Sequence, residues 1–352
     1  MFARILLAAL AAIAVTSCIP PAGAGELSIR GEEILLDGQP IKVIGLRCSN
    51  SLMSDATTDQ LINQLDAMRS YGLNTISVFV MGSRFGDVQG YRPDGSLDPL
   101  VRSRLARVLD ATGERDMICI VGCLYWSTSR AKEKLGHWTE TNAAAAIAGT
   151  AGWIAKRSDR HVIMDVDNEG MAARANKWST TKLIGAAKSA APGLIVAANI
   201  RAPALGEDLN IHHAPYEPGK PWFDSEASPA TPGGYWGKFS KETHQGDSSY
   251  ENYSRIGRYT EEMKADQLRQ TREELRDFAG YVFTSTWLQC APHEGVGGPF
   301  VRFGGRSKLG SEKDKNAPWN RDIDTLHPDA GFLWWLEGLQ PILAELQINA
   351  GN

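Results

Sequence analysis

Eight short apolar runs, interleaved with amphipathic stretches, constrain this chain more than any other feature. The runs cover residues 41–46, 74–81, 117–124, 162–166, 194–200, 209–213, 221–225 and 281–288. They are near-continuously apolar rather than alternating, the pattern of strands buried on both faces of a parallel sheet. Helical spacing fills the gaps. Leu61, Leu65 and Met68 fall on one face, as do Leu105, Val108 and Leu109. Further helical patterns cover 142–156, 180–190, 259–278 and 332–346, the last setting Trp334 and Trp335 against the strands. Strands and helices in this order predict an α/β fold, a single (β/α)8 TIM barrel. A doubly wound sheet would need a glycine-rich phosphate turn after its first strand, and Gly45-Leu46-Arg47-Cys48-Ser49 is not one. Residues 26–36 read as a short β-hairpin capping the barrel, with Asp37-Gly38 as the turn leading on.

Residues 1–18 read as an address. Arg4 precedes an unbroken apolar run over 5–15, too short to span a bilayer comfortably. The run ends in Val15-Thr16-Ser17-Cys18, which resembles the bacterial lipobox, whose cysteine is lipidated after cleavage. Cleavage near Ala22-Gly23-Ala24, giving a secreted protein, is the alternative. Residues 19–25 are then a short linker and 26–352 the barrel. Both readings expect an exported protein, and the first expects it to meet a membrane only through its lipid anchor. Nucleic acid is not an expected partner: 37 Lys and Arg against 41 Asp and Glu leave a net charge of −4, and phosphate binding needs a basic face. Four further cysteines, Cys48, Cys119, Cys123 and Cys290, leave disulfide pairing open and lack metal-ligand spacing. No metal or organic cofactor is expected.

Two apolar runs end abruptly in acid. One reads Val162-Ile163-Met164-Asp165-Val166-Asp167-Asn168-Glu169, the other Pro221-Trp222-Phe223-Asp224-Ser225-Glu226. As the fourth and seventh strands of a barrel, these would carry Glu169 and Glu226 to the same rim, facing one another. Opposed carboxyl groups suit cleavage of a glycosidic bond. One, protonated, serves the leaving oxygen; the other, ionised, attacks or stabilises the anomeric carbon. Asp224, two residues before Glu226, is expected on the same face. Asn199 ends the fifth run and is a candidate ligand of a sugar hydroxyl. Trp126, Trp287 and the loop residue Trp236 are candidates to stack on sugar rings.

Together these motifs resemble clan A of the glycoside hydrolases, near its cellulase-like branch. Asn168-Glu169 matches the clan's fourth-strand pair, in which Glu is the acid/base. Glu226 matches its seventh-strand nucleophile. Leu36-Asp37-Gly38-Gln39-Pro40, Gly72-Leu73-Asn74-Thr75 and His212-His213-Ala214-Pro215-Tyr216 resemble segments at the first, second and sixth strands. The resemblance implies a retaining hydrolase of β-linked glycans, acting on an oligo- or polysaccharide. It implies that Asn168 binds the sugar 2-hydroxyl, His213 another hydroxyl, that Tyr216 steers the nucleophile, and that Trp287 is an eighth-strand platform. One position departs: cellulase-like members carry an Arg in the second strand that hydrogen-bonds the nucleophile, and Ser77 stands there. Arg47, after the first strand, is the candidate replacement. A silent sugar-binding lipoprotein and a cell-surface transglycosylase are the alternative functions on the same barrel.

Overall fold

The computed structural model describes residues 25–82, 88–126, 130–200, 204–212, 218–227, 261–284, 287–288, 307–308, 322–323 and 332–348. The chain opens with β1 (Leu27–Arg30), β2 (Glu33–Leu36) and β3 (Gln39–Ile41), an antiparallel sheet in that order. The sequence predicted two strands here; a third forms because of the turn. Asp37 and Gly38 both take positive φ, 51° and 76°, and Leu36 pairs with Gln39. That is the primed two-residue hairpin which Asp-Gly favours, and it sends the chain straight back along β2.

The barrel strands follow: β4 (Val43–Arg47), β5 (Thr75–Phe79), β6 (Ile118–Leu124), β7 (Val162–Asp167), β8 (Ile195–Ala198), β9 (Leu209–Asn210), β10 (Phe223–Ala227) and β11 (Gly280–Thr284). All neighbours are parallel, and β11 pairs with β4. The edges meet where Asn210 bridges Trp222, with Asn210 N–H donating to Pro221 O at 3.0 Å and Ser225 N–H to Ile211 O at 3.2 Å. The expected (β/α)8 barrel therefore forms. Its helices are α1 (Asp55–Ile62), α2 (Leu65–Ser70), α3 (Pro99–Gly113), α4 (Glu140–Arg157), α5 (Met171–Asn176), α6 (Thr180–Ala190), α7 (Glu261–Asp277) and α8 (Leu333–Glu345). Leu61, Leu65 and Met68 are all buried, but a break at Asn63-Gln64 divides their pattern between α1 and α2.

Alternation along the strands gives two cores. Val43, Ile118, Ile120, Ile163, Ile195, Ala197, Leu209, Ile211, Phe223 and Val282 fill the barrel, and Leu27 and Ile34 of the cap sheet join them. Ile44, Ile76, Val121, Met164, Val196 and Phe283 face outward under the helices. There Trp335 of α8 stacks on Phe283 at 4.6 Å and donates Nε1–H to Thr271 Oγ1 at 3.0 Å. Cys48, Cys119 and Cys123 are buried free thiols, and burial pushes all three up, Cys123 to about 12. They are inert packing groups in this state. Cys290 lies outside the described residues. Among the described residues, no helix is long and apolar enough to cross a membrane.

Candidate active site

The fourth strand builds the first half of the site. Ile163 faces the barrel interior, so Asp165 takes the next inward position, level with Ala197 of β8. Its Oδ1 accepts N–H from Asn199 and from Asp167, each at 3.2 Å. Burial pushes Asp165 up to about 6, against the pull of the Arg47 charge. Asp167 is pushed up to about 7 by burial, although both of its oxygens accept backbone N–H groups, from Ala172 and Ala173 at 2.9 Å. Those bonds fasten the start of α5 to the strand. Between them the chain makes a sharp elbow: Glu169 sits at φ 51°, ψ 17° and Gly170 at φ 61°, ψ 26°. A left-handed conformation costs a residue with a Cβ about 1–2 kcal/mol. Gly170 is needed beyond its φ, since a Cβ there would lie 2.9 Å from Ile200 Cγ2. The strain lifts a half-exposed glutamate out of an otherwise buried strand end, and strain of this kind concentrates at functional sites.

The seventh strand supplies the other half through a bulge. Phe223 pairs with Gly280 and Asp224 with Tyr281, but Ala227 pairs with Phe283, so β10 carries one extra residue between Asp224 and Ala227. Asp224 shares the outward face of Tyr281, while Ser225 turns inward, where its Oγ accepts Asn199 Nδ2–H at 3.2 Å. The bulge then places Glu226 at the inner rim as well. Asp224 thus does not share Glu226's face as plain alternation predicted; its Oδ1 instead accepts Glu226 N–H at 2.8 Å and fixes the bulge from behind.

Arg47 joins the two halves. It ends β4 fully buried, and its Nη2 lies 3.4 Å from Glu226 Oε2 and donates to Asn168 Oδ1 at 2.8 Å. Nη1 reaches Ser225 O at 3.3 Å and Nε reaches Ser49 Oγ at 3.2 Å. The guanidinium carbon lies 4.7 Å from the Phe79 ring centre and 5.7 Å from that of Tyr125. Burial alone would lower Arg47, but the charges of Glu226, Tyr125, Asp165 and Glu169 outweigh it and hold the guanidinium raised. Arg47 thus ties the seventh-strand carboxylate to the end of the fourth strand, where Asn168 precedes Glu169. Arg47 and Ser77 are register partners on β4 and β5. The cation has moved one strand over at the same height, which accounts for the serine.

Asn168 is fully buried; its Oδ1 takes Arg47 and, at 3.4 Å, Asn199 Nδ2–H. Asn168 Nδ2 and Asn199 Oδ1 have no protein partner among the described residues. Asn199 is likewise fully buried and donates Nδ2–H to Asn168 and to Ser225. Trp126 follows β6 half-buried, its ring 5.1 Å from Trp178 and 6.1 Å from Trp138. Trp287 is 2% exposed and packs against Phe332 at 6.3 Å, its ring inside the molecule. His213, Tyr216 and Trp236 lie outside the described residues, as does most of the two long stretches 227–252 and 291–328. Sequence reasoning passed over Ser225, Asp165, Phe79 and Tyr125; polar residues at inward strand positions were the available signal for the first two.

A cavity of about 1050 Å3 lies at the opposite end, where Lys42, Asn74, Asp116, Trp222 and Ala279 begin or precede their strands. It shares no residue with the Arg47 cluster. Among the described residues, no group of three or more His, Cys, Asp or Glu is placed to hold a metal ion.

No protein-family model matches the chain, and no curated protein does. Solved structures match it in shape. A glycoside hydrolase family 5 mannosidase variant from Rhizomucor miehei, in complex with mannosyl-fructose, is 12% identical, with 92% of this chain and 98% of that one covered, at a TM-score of 0.55. A family 5 glycoside hydrolase from Bacteroides vulgatus is 14% identical over 84% of this chain and 68% of its own, at a TM-score of 0.53. The chain has the (β/α)8 barrel of these glycoside hydrolases, the fold that its sequence motifs implied.

Proposed function

We propose that this protein is a retaining glycoside hydrolase of β-linked glycans, with Glu226 as nucleophile and Glu169 as acid/base. The observation that carries the reading is Arg47, which pairs with Glu226 from the seventh strand and bonds Asn168, the residue before Glu169, at the end of the fourth. Arg47 opposes protonation of Glu226, leaving a carboxylate oxygen to attack the anomeric carbon. As that bond forms, the glycosidic C–O bond breaks and Glu169 passes its proton to the departing oxygen. A glycosyl ester on Glu226 results. Glu169, now a carboxylate, takes a proton from water; the water oxygen attacks the anomeric carbon and Glu226 leaves. Two inversions restore the starting configuration. Asn168, its Oδ1 held by Arg47, directs Nδ2–H to the sugar 2-hydroxyl, a bond that strengthens in the transition state.

Mannosides are the first substrates to try, because the barrel's structural neighbours include a family 5 mannosidase. The test is turnover of β-glycosides and a polysaccharide panel, with the first-formed anomer followed by proton NMR. A β-anomer from the wild type and none from Glu226→Ala supports the reading. Saccharide binding without turnover in the wild type refutes it.

The signal-like start and Cys18 extend the proposal to an exported lipoprotein with its barrel at 26–352. Radiolabelled palmitate should enter the wild-type protein and not Cys18→Ser; equal labelling refutes the anchor.

A further inference from the structure

We propose that Asp224 is a positioning residue for the nucleophile: its carboxyl group caps the bulge in β10 that turns Glu226 into the barrel. The inference rests on the hydrolase reading and adds what holds the attacking group in place. Phe223 faces the barrel interior. Plain alternation from there sends Asp224 outward, Ser225 inward and Glu226 outward, under the helices and away from Arg47. The strand does otherwise. Phe223 packs in the interior core and Ala227 in the outer one, although positions four apart on an unbroken strand share a face. The extra residue lies between Asp224 and Ala227, so Ser225 and Glu226 both reach the inner rim, and Glu226 Oε2 comes to 3.4 Å from Arg47 Nη2. The bulge therefore decides on which side of the strand the nucleophile emerges.

A bulge interrupts the ladder and leaves backbone groups that other partners must satisfy. Ser225 N–H keeps a bond to Ile211 O, at 3.2 Å, on the β9 side. Glu226 N–H goes to Asp224 Oδ1 at 2.8 Å. The side chain thus closes a ring over Ser225, as an Asp does in a turn, and fixes the angle at which Glu226 leaves the strand. Asp224 is fully buried in the outer layer, with Tyr281 as its register partner on β11. Burying a carboxyl group on the helix-facing side of a strand costs free energy that hydrogen bonds must offset. An apolar residue would serve packing there; what it could not supply is an acceptor for Glu226 N–H. The neighbouring strand is itself anchored to both helices behind it. Tyr281 Oη accepts Nε2–H of Gln267 from α7, Thr271 Oγ1 donates to Gln267 O at 2.7 Å, and Trp335 of α8 donates Nε1–H to that same Oγ1.

The test uses the full-length protein and a 2-deoxy-2-fluoro β-glycoside of the sugar it hydrolyses, which labels the nucleophile of each folded molecule. Urea unfolding gives the folded fraction of every variant. Asp224→Ala should lower the limiting rate of labelling about a hundredfold, the cost of a misplacement of about 1 Å, with the half-saturating concentration within about threefold of the wild type. Asp224→Asn keeps an oxygen acceptor for Glu226 N–H and should restore the rate to within about tenfold. A role in packing alone makes Asp224→Ala easier to unfold and leaves the labelling rate of its folded molecules unchanged; that result overturns the proposal, and so does Asp224→Asn as slow as Asp224→Ala. Amide hydrogen exchange of the wild type needs no variant: Glu226 N–H should exchange as slowly as Ser225 N–H, and exchange at the rate of an open amide overturns the cap. A wild type that takes no label and turns over no glycoside overturns the hydrolase reading and this one with it.

Discussion

Removing the Arg47 guanidinium should cost the protein both stability and activity, with magnitudes that follow from its surroundings. The pair with Glu226 is 3.4 Å long, with side chains 0% and 7% exposed. At an effective dielectric of about 20, charges at that separation attract by about 5 kcal/mol, much of it offset by their desolvation. Arg47→Met fills similar volume but leaves Glu226 as a buried carboxylate without its cation and takes one donor from Asn168. Breaking a buried pair from one side costs about 3–5 kcal/mol. Glu226→Gln in the same background removes the stranded charge, so the double variant should recover a coupling energy of about 2 kcal/mol or more. Urea unfolding of the wild type, both single variants and the double variant measures this cycle. Activity gives an independent reading: without the cation, Glu226 is easier to protonate, and the acid limb of kcat/KM for Arg47→Met should move to higher pH. A loss below about 1 kcal/mol, or coupling below about 0.5 kcal/mol, would refute the role assigned to Arg47.

Three further outcomes follow from the same cluster. Burial holds Asp165 at about 6 in the folded protein, against an unfolded value of about 3.9, so the folded chain keeps a proton that the unfolded chain releases. Its contribution to stability is full below about pH 4 and is lost as pH rises through about 6, about 3 kcal/mol in all. Asp165→Asn preserves an acceptor for Asn199 and Asp167 and should lessen the fall of the urea midpoint across that window, Asp167, held at about 7, supplying the remainder; an unchanged slope contradicts the assignment. Glu169→Gly relieves a left-handed residue at φ 51° and should leave stability within about 1 kcal/mol of the wild type, or above it, while oligosaccharide turnover disappears; a loss beyond about 1.5 kcal/mol argues against strain at the elbow. Gly122→Ala sets a Cβ 2.1 Å from the Phe79 ring that packs on Arg47, and should cost about 1–3 kcal/mol together with activity; a variant indistinguishable from wild type would show that Phe79 does not hold the guanidinium in place.

The architecture was legible because burial on both faces writes itself into the chain as apolar runs, and eight of them alternating with helical patterns leave few folds. Glu169 and Glu226 were legible for the complementary reason: acid directly after an apolar strand stands out. What escaped depends on register. Nothing in Phe223-Asp224-Ser225-Glu226-Ala227 marks an extra residue, because a bulge exists only relative to the neighbouring strand, here β11. Reading β10 as a plain strand put Asp224 on the wrong face. Arg47 was a candidate from the sequence, but its contact with Glu226 two strands away, and its register with Ser77 at one height, show only once the strands are paired. The groups that Asn199 meets at its strand end, Asn168 and Ser225, lie on other strands and could not be read from the chain.

The central claim, that Glu226 forms a covalent bond to sugar while Glu169 serves as its acid and base, is tested most directly by trapping. A 2-deoxy-2-fluoro β-glycoside with an activated leaving group, starting with the mannosyl compound, slows release of the intermediate. Peptide mapping by mass spectrometry should find one fluoroglycosyl unit on Glu226. A label on Glu169 or elsewhere, or turnover to the inverted anomer with no label at all, would contradict the account.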